Sequence, residues 1–368
     1  MQRIKWIDVA KAIGIFAIYV GHISTTEGVR CVPFVWTFHV ALFFLISGCA
    51  EAISSKETGF GQFLVKKIKT LFIPWLTFAL VSIAIHFLKT GYSGAELIKG
   101  VKQMALGCIR NNFVPSAGAI WFLTCLFVIQ ILFFFIKKLK NKWLILGVAA
   151  VIHIVALLLF DVNAPKMPYN LDTAMYYILY YATGYISFEV VNLVLNAKTL
   201  KGKILLVVSG VLSFGYCGIR ILGKDIFGFL YSVPYLSKLI SVISTLIIIY
   251  AVILLAKILE NVELFQKIGQ NTIYLCAGEY VTHTILYYTL ALIGIFIKVQ
   301  STFYGIVLAV ILLAISYKFV TPLLKETTKW VQNIPDYFVS KQSKEKGSIS
   351  ATKEHISNAR KFTDNVAK

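Results

Sequence analysis

The sequence has few charged residues for its length. Only 14% of its 368 residues are Asp, Glu, Lys or Arg, whereas soluble globular chains carry about 25%. Hydrophobic residues make up 58% of the chain, and its mean hydropathy is +0.76. A chain of this composition cannot cover itself with a polar surface. This excludes an ordinary soluble protein and predicts a membrane protein.

Metal-ligand and nucleic-acid motifs are also missing. The six cysteines form no C-x-x-C pair and no zinc-type spacing, and most lie in apolar runs, where cysteine behaves as a small hydrophobe. We therefore predict no metal site. The formal net charge is +19, yet no RNA- or DNA-binding motif accompanies it. We attribute this charge to membrane topology and to attraction for anionic lipid rather than to nucleic acid.

Long apolar runs fill the first 324 residues. A run of about 17–25 such residues is long enough to cross a bilayer as a helix. We find ten, at roughly residues 9–24, 35–53, 70–89, 118–137, 142–160, 173–191, 203–219, 237–256, 271–297 and 302–320. The pattern predicts an all-α polytopic membrane protein, with an integral membrane domain over residues 1–324 built from about ten transmembrane helices.

The distribution of lysine and arginine predicts the orientation of these helices. Short connections on one side are dense in lysine, as at residues 66–69 and 137–142, whereas basic residues on the other side are spread over longer loops. Because basic residues concentrate in cytoplasmic loops, both termini are predicted to be cytoplasmic, in a multi-pass protein of the plasma membrane. Residues 325–368 are polar and lysine-rich, which predicts a disordered cytoplasmic tail.

Ionisable residues inside the first span are the strongest functional signal. Each costs about 2.5–3.5 kcal/mol near the bilayer centre on insertion scales, and such residues tend to mark functional interiors. The stretch KAIGIFAIYVGH places Lys11 and His22 on one helix face, about 16 Å apart along the axis. Asp8 is three residues before Lys11, so the two can pair. Alternatively, Asp8 and Lys11 lie at the interface and extend their charges to water.

Further polar residues are expected near His22. His39 begins the second span at a comparable depth, and the short connection makes the two histidines neighbours. In the ninth span Glu279 and His283 share a face, and the carboxylate of Glu279 can orient His283, His22 or His39. The alternative is that the Glu279–His283 pair only holds helices together.

Two other positions allow both a functional and a structural interpretation. Lys66 and Lys69 share a face where the third span begins. They either bind phosphate as point charges or form the ordinary basic flank of a membrane helix. Trp121, in AIWFL, either anchors the fourth span at the interface or stacks on a substrate.

Five segments of the chain resemble those of a known family. WIDVAKAIGIFAIYVGHI, FHVALFFLISG, FLVKKIKTLFIPWL, AIWFL and IGQNTIYL, in this order, are similar to the membrane-bound acyltransferase 3 family, particularly its sugar O-acetyltransferases related to fucose 4-O-acetylase. The resemblance implies a ten-helix domain that takes an acyl group, usually acetyl, from cytoplasmic acetyl-CoA. The domain delivers that group to a hydroxyl of a cell-surface or lipid-linked glycan.

The resemblance also implies roles for single residues. His22 corresponds to the family's essential first-helix histidine, and Lys11 stands where many members have arginine. Lys66 and Lys69 stand at an Arg-x-x-Arg pair assigned to the CoA phosphates, although lysine cannot form arginine's bidentate fork. In the ninth span Ala277 occupies a position where the family often has histidine, so we take Glu279 as the candidate instead.

Residues and resemblance together predict an acyltransferase in which a histidine takes the proton from the acceptor hydroxyl. The residues expected to form the site are His22, Glu279 and His39 for catalysis, Lys66, Lys69 and Lys11 for acetyl-CoA, and Trp121, His283 and Asp8 for the acceptor. Expected partners are the acyl-CoA donor, the glycan acceptor and membrane lipids, with a homodimer as an option. The alternative is a transporter or flippase that moves a glycan or acyl substrate without covalent chemistry. Against it, the two halves of the chain show no repetition of the kind many transporters have.

Overall fold

The computed structural model describes residues 3–26, 28–54, 59–90, 93–110, 118–161, 163–230 and 233–332, and no β-strand forms within those ranges. The α-helices in the described residues are α1 (Lys5–Gly21), α2 (His39–Ile53), α3 (Phe60–Lys67), α4 (Ile73–Thr90), α5 (Gly94–Ala105), α6 (Trp121–Ile136), α7 (Lys142–Leu159), α8 (Leu171–Leu195), α9 (Leu200–Ile221), α10 (Pro234–Ile258), α11 (Glu263–Gln270), α12 (Thr272–Leu292) and α13 (Thr302–Ile315). An isolated bridge between Ser24 and Arg30 closes the loop after α1. The predicted all-α class is confirmed for this part of the chain.

Seven helical segments are long and apolar enough to be candidate membrane spans. They are Phe60–Leu88, Gly118–Leu139, Lys142–Leu159, Pro168–Leu195, Leu200–Ile221, Leu236–Ile258 and Thr302–Gln332. The other three predicted spans contain α1, α2 and α12. Helices α1 and α2 are short, with 17 and 15 residues, and α12 is made more polar by Glu279 and His283. The expectation of ten spans is therefore supported for seven, and the cytoplasmic location of both termini stays a prediction.

Helix α1 is surrounded by other helices, which explains how it carries ionisable residues. It contacts α2, α10, α11, α12 and α13, and most of its residues are buried, from Trp6 and Asp8 near its start to Tyr19 at its end. A helix buried on all sides faces protein instead of lipid. Its polar groups can therefore find partners that a lipid-facing helix would lack.

Helices α2 and α8 cross in close contact at two glycines. A Cβ added to Gly48 would overlap the carbonyl oxygen of Tyr181, and one added to Gly184 would overlap that of Leu45. Small residues at a crossing let two helix backbones approach each other. This crossing fixes the position of α2, whose first residue is His39.

The chain divides into two units after Leu324. The second unit is described only over residues 325–332, which are helical. Residues 333–368 lie outside the part of the chain that the structure describes, so the disordered tail stays a prediction.

Candidate active site

A cavity of about 450 Å³ lies where α1 ends. Residues from the ends of α1 and α6, from α2 and α12, and from the loops after α1 and α5 form its walls. Three of the residues predicted from sequence, His22, His39 and Trp121, line it together. The matched depth of the two histidines and the position of Trp121 at the start of its helix were sufficient to predict this convergence.

His22 follows the last residue of α1 and faces Glu279 of α12. The distance from His22 Nδ1 to Glu279 Oε2 is 3.1 Å. The contact is an ion pair by distance and not a hydrogen bond by geometry, and Oε2 has no other hydrogen-bond partner. The Glu279 side chain is 4% exposed, compared with 29% for His22. A carboxylate beside Nδ1 favours the tautomer with its proton there, which leaves Nε2 with the lone pair a base requires.

A hydrogen bond between α1 and α12 fixes this pair. The Tyr19 hydroxyl donates to the carbonyl oxygen of Leu275 at 3.0 Å, one turn before Glu279 on α12. Tyr19 is itself 1% exposed. The separation of His22 and Glu279 is therefore set by helix packing instead of by a loop.

His39 is held by the loop that precedes α2. Its Nδ1 lies 2.7 Å from the carbonyl oxygen of Val35. Because a carbonyl oxygen only accepts, Nδ1 carries a hydrogen, and in a neutral imidazole this leaves the lone pair on Nε2. His39 is buried, with 3% of its surface exposed, and burial disfavours the charged form.

Trp36, which the sequence analysis missed, connects the two histidines. Its ring centroid lies 5.7 Å from that of His22 and 5.1 Å from that of His39. Its Nε1 donates to the carbonyl oxygen of Gly21 at 3.0 Å. Its place three residues before a candidate histidine was the one signal that could have drawn attention to it.

Two arginines in the cavity wall were also missed. The guanidinium carbon of Arg30 lies 3.6 Å from the Trp36 ring centroid, and that of Arg110 lies 5.5 Å from the Trp121 ring centroid. Both distances suit cation–π contacts. In sequence they are single arginines in loops, so only the path of the chain brings them to the histidines.

The cationic groups predicted to bind the donor lie away from this cavity. Lys66 and Lys69 are exposed and line a shallow open groove with Gln62 and Thr70. They are at the junction of α3 and the π-helical segment Ile68–Phe72. The groove can receive a ligand from solvent, but nothing in its lining is specific for CoA.

A partly buried ion cluster that includes Lys67, next to Lys66 in sequence, was not foreseen. Glu51 Oε1 lies 2.5 Å from Lys137 Nζ, and Glu51 Oε2 lies 3.8 Å from Lys67 Nζ. Glu51 is on the last turns of α2, about 18 Å along the helix axis from His39. The lysine-rich end and the histidine end are therefore opposite ends of α2.

Comparison with known families now decides the class of this protein. A family model described as an acyltransferase domain of the acyltransferase 3 type matches residues 4–320. That range contains every residue of the cavity. The chain belongs to the acyltransferase 3 family. No curated protein and no solved structure matches it. Membership identifies acyl transfer by a membrane protein as its function class.

In this acyltransferase Asp8 and Lys11 lie at the opposite end of α1 from His22. Asp8 Oδ1 is 3.5 Å from Lys11 Nζ, which confirms the predicted pair. Asp8 Oδ2 also lies 2.5 Å from Nε of Arg3, a partner that the sequence analysis did not consider. Asp8 is about 21 Å along the helix from His22 and does not line the cavity. Its predicted contact with the acceptor therefore has no support from the cavity.

His283 also lies outside the residues that line the cavity of this acyltransferase. Its ring centroid is 4.2 Å from that of Tyr287 and 6.3 Å from that of Tyr280. Glu279, for which three histidine partners were considered, contacts His22. This contact joins α12 to the end of α1. The spacing of residues within α12 could not decide which histidine of another helix Glu279 would contact.

Asn170 positions the backbone of Arg110. Its side-chain oxygen accepts from the Arg110 backbone N–H at 2.7 Å, and its Nδ2 donates to Thr124 Oγ1 at 2.9 Å and to the Gly107 carbonyl at 3.2 Å. Asn170 is fully buried and has a φ of 58°, a conformation for which asparagine is enriched. The Asn170 side chain, just before α8, therefore joins the loop after α5 to α6 beside the cavity.

We expect Asn170→Ala to destabilise the protein by about 1–3 kcal/mol, because it leaves buried donors and acceptors without partners. Asn170→Asp keeps the acceptor for Arg110 but places a carboxylate oxygen against the Gly107 carbonyl oxygen, so we expect it to be at least as destabilising. Thermal unfolding of the detergent-purified protein measures both. An unchanged melting temperature in Asn170→Ala would show that the network has no structural role.

Proposed function

We propose that this acyltransferase moves an acyl group, acetyl in the first instance, from cytoplasmic acetyl-CoA to a hydroxyl of a cell-surface or lipid-linked glycan. His22 is the general base. The observation that carries the proposal is the contact between His22 and Glu279 at the wall of a cavity. At about 450 Å³, this cavity is of a size typical for small-molecule sites.

The chemistry needs one proton to move from the acceptor to the departing sulfur. Nε2 of His22 takes the hydroxyl proton as the acceptor oxygen attacks the thioester carbonyl carbon. The C–S bond then breaks, and the imidazolium returns the proton to the CoA thiolate. The buried carboxylate of Glu279 stabilises the imidazolium between these steps. The neutral His39 supports the site by accepting a hydrogen bond from the acceptor.

A second, hydroxyl-rich cavity supports a sugar acceptor of the kind that the fucose 4-O-acetylase branch uses. It measures about 170 Å³ and shares Trp36, Val40 and Tyr177 with the first cavity. Ser241, Ser244 and Thr245 lie in its wall. Hydroxyl groups beside aromatic faces suit a ligand with hydroxyls on its edges and apolar C–H faces. Trp121 would hold the same ligand from the other cavity.

The separation of charge along the helices supports a donor that enters from the other end. Lys66 and Lys69 would hold the CoA phosphates. Lys11 would lie nearer the path of the donor's pantetheine arm. The axial distance from Lys11 to His22 is about 16 Å, which an extended pantetheine arm spans. The acceptor and the donor would thus meet at His22 from opposite sides.

We expect the double substitution of Lys66 and Lys69 by glutamine to raise KM for acetyl-CoA roughly tenfold. Two charge-assisted contacts to phosphate are lost, and each tenfold change in affinity corresponds to about 1.4 kcal/mol. The value of kcat at saturating donor should change little, since His22 is untouched. Lys201→Gln, which removes an exposed lysine from the first turn of α9, is the control. Equal KM values in all three proteins would remove the donor role from this pair.

The proposed function is tested by transfer of labelled acetyl from acetyl-CoA to surface glycan in membranes, with wild type compared with His22→Ala. Covalent label that wild type incorporates and His22→Ala does not would support the enzyme and its base together. Glycan moved across the membrane without covalent label would favour the transporter alternative instead.

A further inference from the structure

Two arginines in the wall of the His22 cavity differ from the other arginines that the structure describes. Arg3 pairs with Asp8 and Arg220 pairs with Asp225. Within the described ranges, neither Arg30 nor Arg110 has a carboxylate oxygen within 4.0 Å. Both line the cavity, so the two unmatched guanidinium groups are in the same place.

The surroundings of Arg110 leave hydrogen-bonding capacity unused. Its Nη1 is buried and has no hydrogen-bond partner, and its neighbours include the hydroxyl of Tyr177 and the ring of Trp121, both of them neutral. Arg30 stacks on the Trp36 ring and is otherwise exposed. A buried cationic group without a counter-ion, such as Nη1 of Arg110, is costly. The cavity therefore favours a ligand that brings negative charge.

The protein's own carboxylate near the cavity does not supply that charge. Glu279 faces His22 in the cavity wall, and no acidic side chain is among the described residues that line the cavity itself. Two guanidinium charges thus exceed the single carboxylate. Arginine presents a planar fork that matches carboxylate and phosphate oxygens in pairs. The two unpaired guanidinium groups therefore favour a ligand with a carboxylate or a phosphate group.

Of the two substrates, the donor does not bring this negative charge to the cavity. An acetyl thioester carries no charge at its reacting end, and the donor phosphates are assigned to the lysines at the opposite end of α2. We propose that the acceptor is an acidic glycan whose carboxylate or phosphate group lies beside the acylated hydroxyl and is bound by Arg30 and Arg110. This inference rests on the proposed function for the identity of the reaction, while the anion site itself is a property of the cavity.

The test uses the full chain, purified in detergent, with two independent measurements. Equilibrium binding of radiolabelled glucuronic acid and of radiolabelled glucose is measured without donor. Acetyl transfer from acetyl-CoA is measured with glucose, glucuronic acid and glucose 6-phosphate as acceptors. We expect wild type to prefer a charged sugar by about tenfold or more in both measurements, since charge-assisted hydrogen bonds are the strong ones. The ratio between the two acids separates a carboxylate-bearing acceptor from a phosphate-bearing one.

Variants then assign the preference to the arginines. Arg30→Gln and Arg110→Gln should each lower kcat/KM for the charged sugar roughly tenfold to a hundredfold and lower that for glucose by a clearly smaller factor. Arg110→Lys, which keeps the charge but not the fork, should retain part of the preference. Lys224→Gln, which removes a loop cation outside the cavity, is the matched control.

The outcomes separate this inference from the proposed function. Equal binding of charged and neutral sugars by wild type would overturn the acidic acceptor. So would an Arg110→Gln variant that loses activity equally with every acceptor, because that result would instead mark an arginine that stabilises the tetrahedral oxyanion. Arginine-dependent preference for the charged sugar in binding, with no transfer to any acceptor, would support the anion site and reject the proposed function.

Discussion

His22→Ala is expected to lower kcat for acyl transfer by at least about 10²-fold, because a positioned general base contributes roughly 10²–10⁴-fold. The His22 side chain is 29% exposed and follows the last residue of its helix, so its removal should leave the fold intact. KM for acetyl-CoA should change little, since the lysines assigned to the donor lie elsewhere. Steady-state transfer by purified protein, with elution on size exclusion as the test of folding, measures both effects.

Glu279→Gln provides the second half of this prediction. The substitution keeps the shape of the side chain and removes the charge that faces Nδ1 of His22 at 3.1 Å. We expect a smaller loss of kcat, about tenfold to a hundredfold, since the base remains and only its orientation and the stability of its imidazolium suffer. The double variant should be no worse than His22→Ala alone. Groups that act as one unit are non-additive in this way.

A second histidine–glutamate pair supplies a matched control. His86 Nε2 lies 3.2 Å from Glu96 Oε2, between α4 and α5, and neither residue lines the cavity. We expect His86→Ala to keep kcat within about threefold of wild type once correctly folded protein is selected. If His86→Ala lost as much activity as His22→Ala, or if His22→Ala kept full activity, the base would not be His22.

The all-α class was predictable, but the number of spanning helices and their relation to lipid were only partly so. Hydropathy measures how well a helix tolerates lipid, and it therefore identified the seven segments that meet the criteria for a span. Helix α1 differs from these segments, because neighbouring helices cover Asp8 and Tyr19 and separate them from lipid. A count of apolar residues cannot distinguish a lipid-facing helix from one that other helices enclose.

The site was predictable where it depended on depth or on spacing within one helix. Asp8 and Lys11 pair because they are three residues apart on α1. His22 and His39 meet because a short loop joins two helices at matched depth. Arg30 and Arg110 come from loops, and their position depends on the isolated bridge at Ser24 and on side-chain contacts elsewhere in the fold. Such contacts have no periodic signature in sequence.

Valine at Gly48 or Gly184 is expected to have one of the largest effects on folding of any single substitution in the described helices. In each case the new Cβ would overlap a backbone carbonyl oxygen of the facing helix. A backbone atom cannot rotate aside as the end of a long side chain can, so α2 and α8 must move apart. Overpacking of a core typically costs 1–3 kcal/mol and occasionally more, and β-branching at a helix crossing adds to that. We expect little or no monodisperse protein from either variant.

The control for this prediction is a glycine on a helix with open space beside it. A Cβ added to Gly215 of α9 would meet no atom within 4 Å, so Gly215→Val should give protein with nearly wild-type yield and melting temperature. Equal yields from Gly48→Val and Gly215→Val would show that α2 and α8 do not depend on their close approach.

The milder substitution Gly48→Ala tests whether the close approach of α2 and α8 also affects acyl transfer. It adds a single methyl group against the Tyr181 carbonyl, and α2 should shift without unfolding. Because α2 begins at His39 and carries Glu51 near its end, a shift moves one side of the cavity and the partner of Lys137 together. Gly48→Ala should therefore lower the melting temperature and also lower kcat. A variant that lost only stability would show that the position of His39 tolerates movement of its helix.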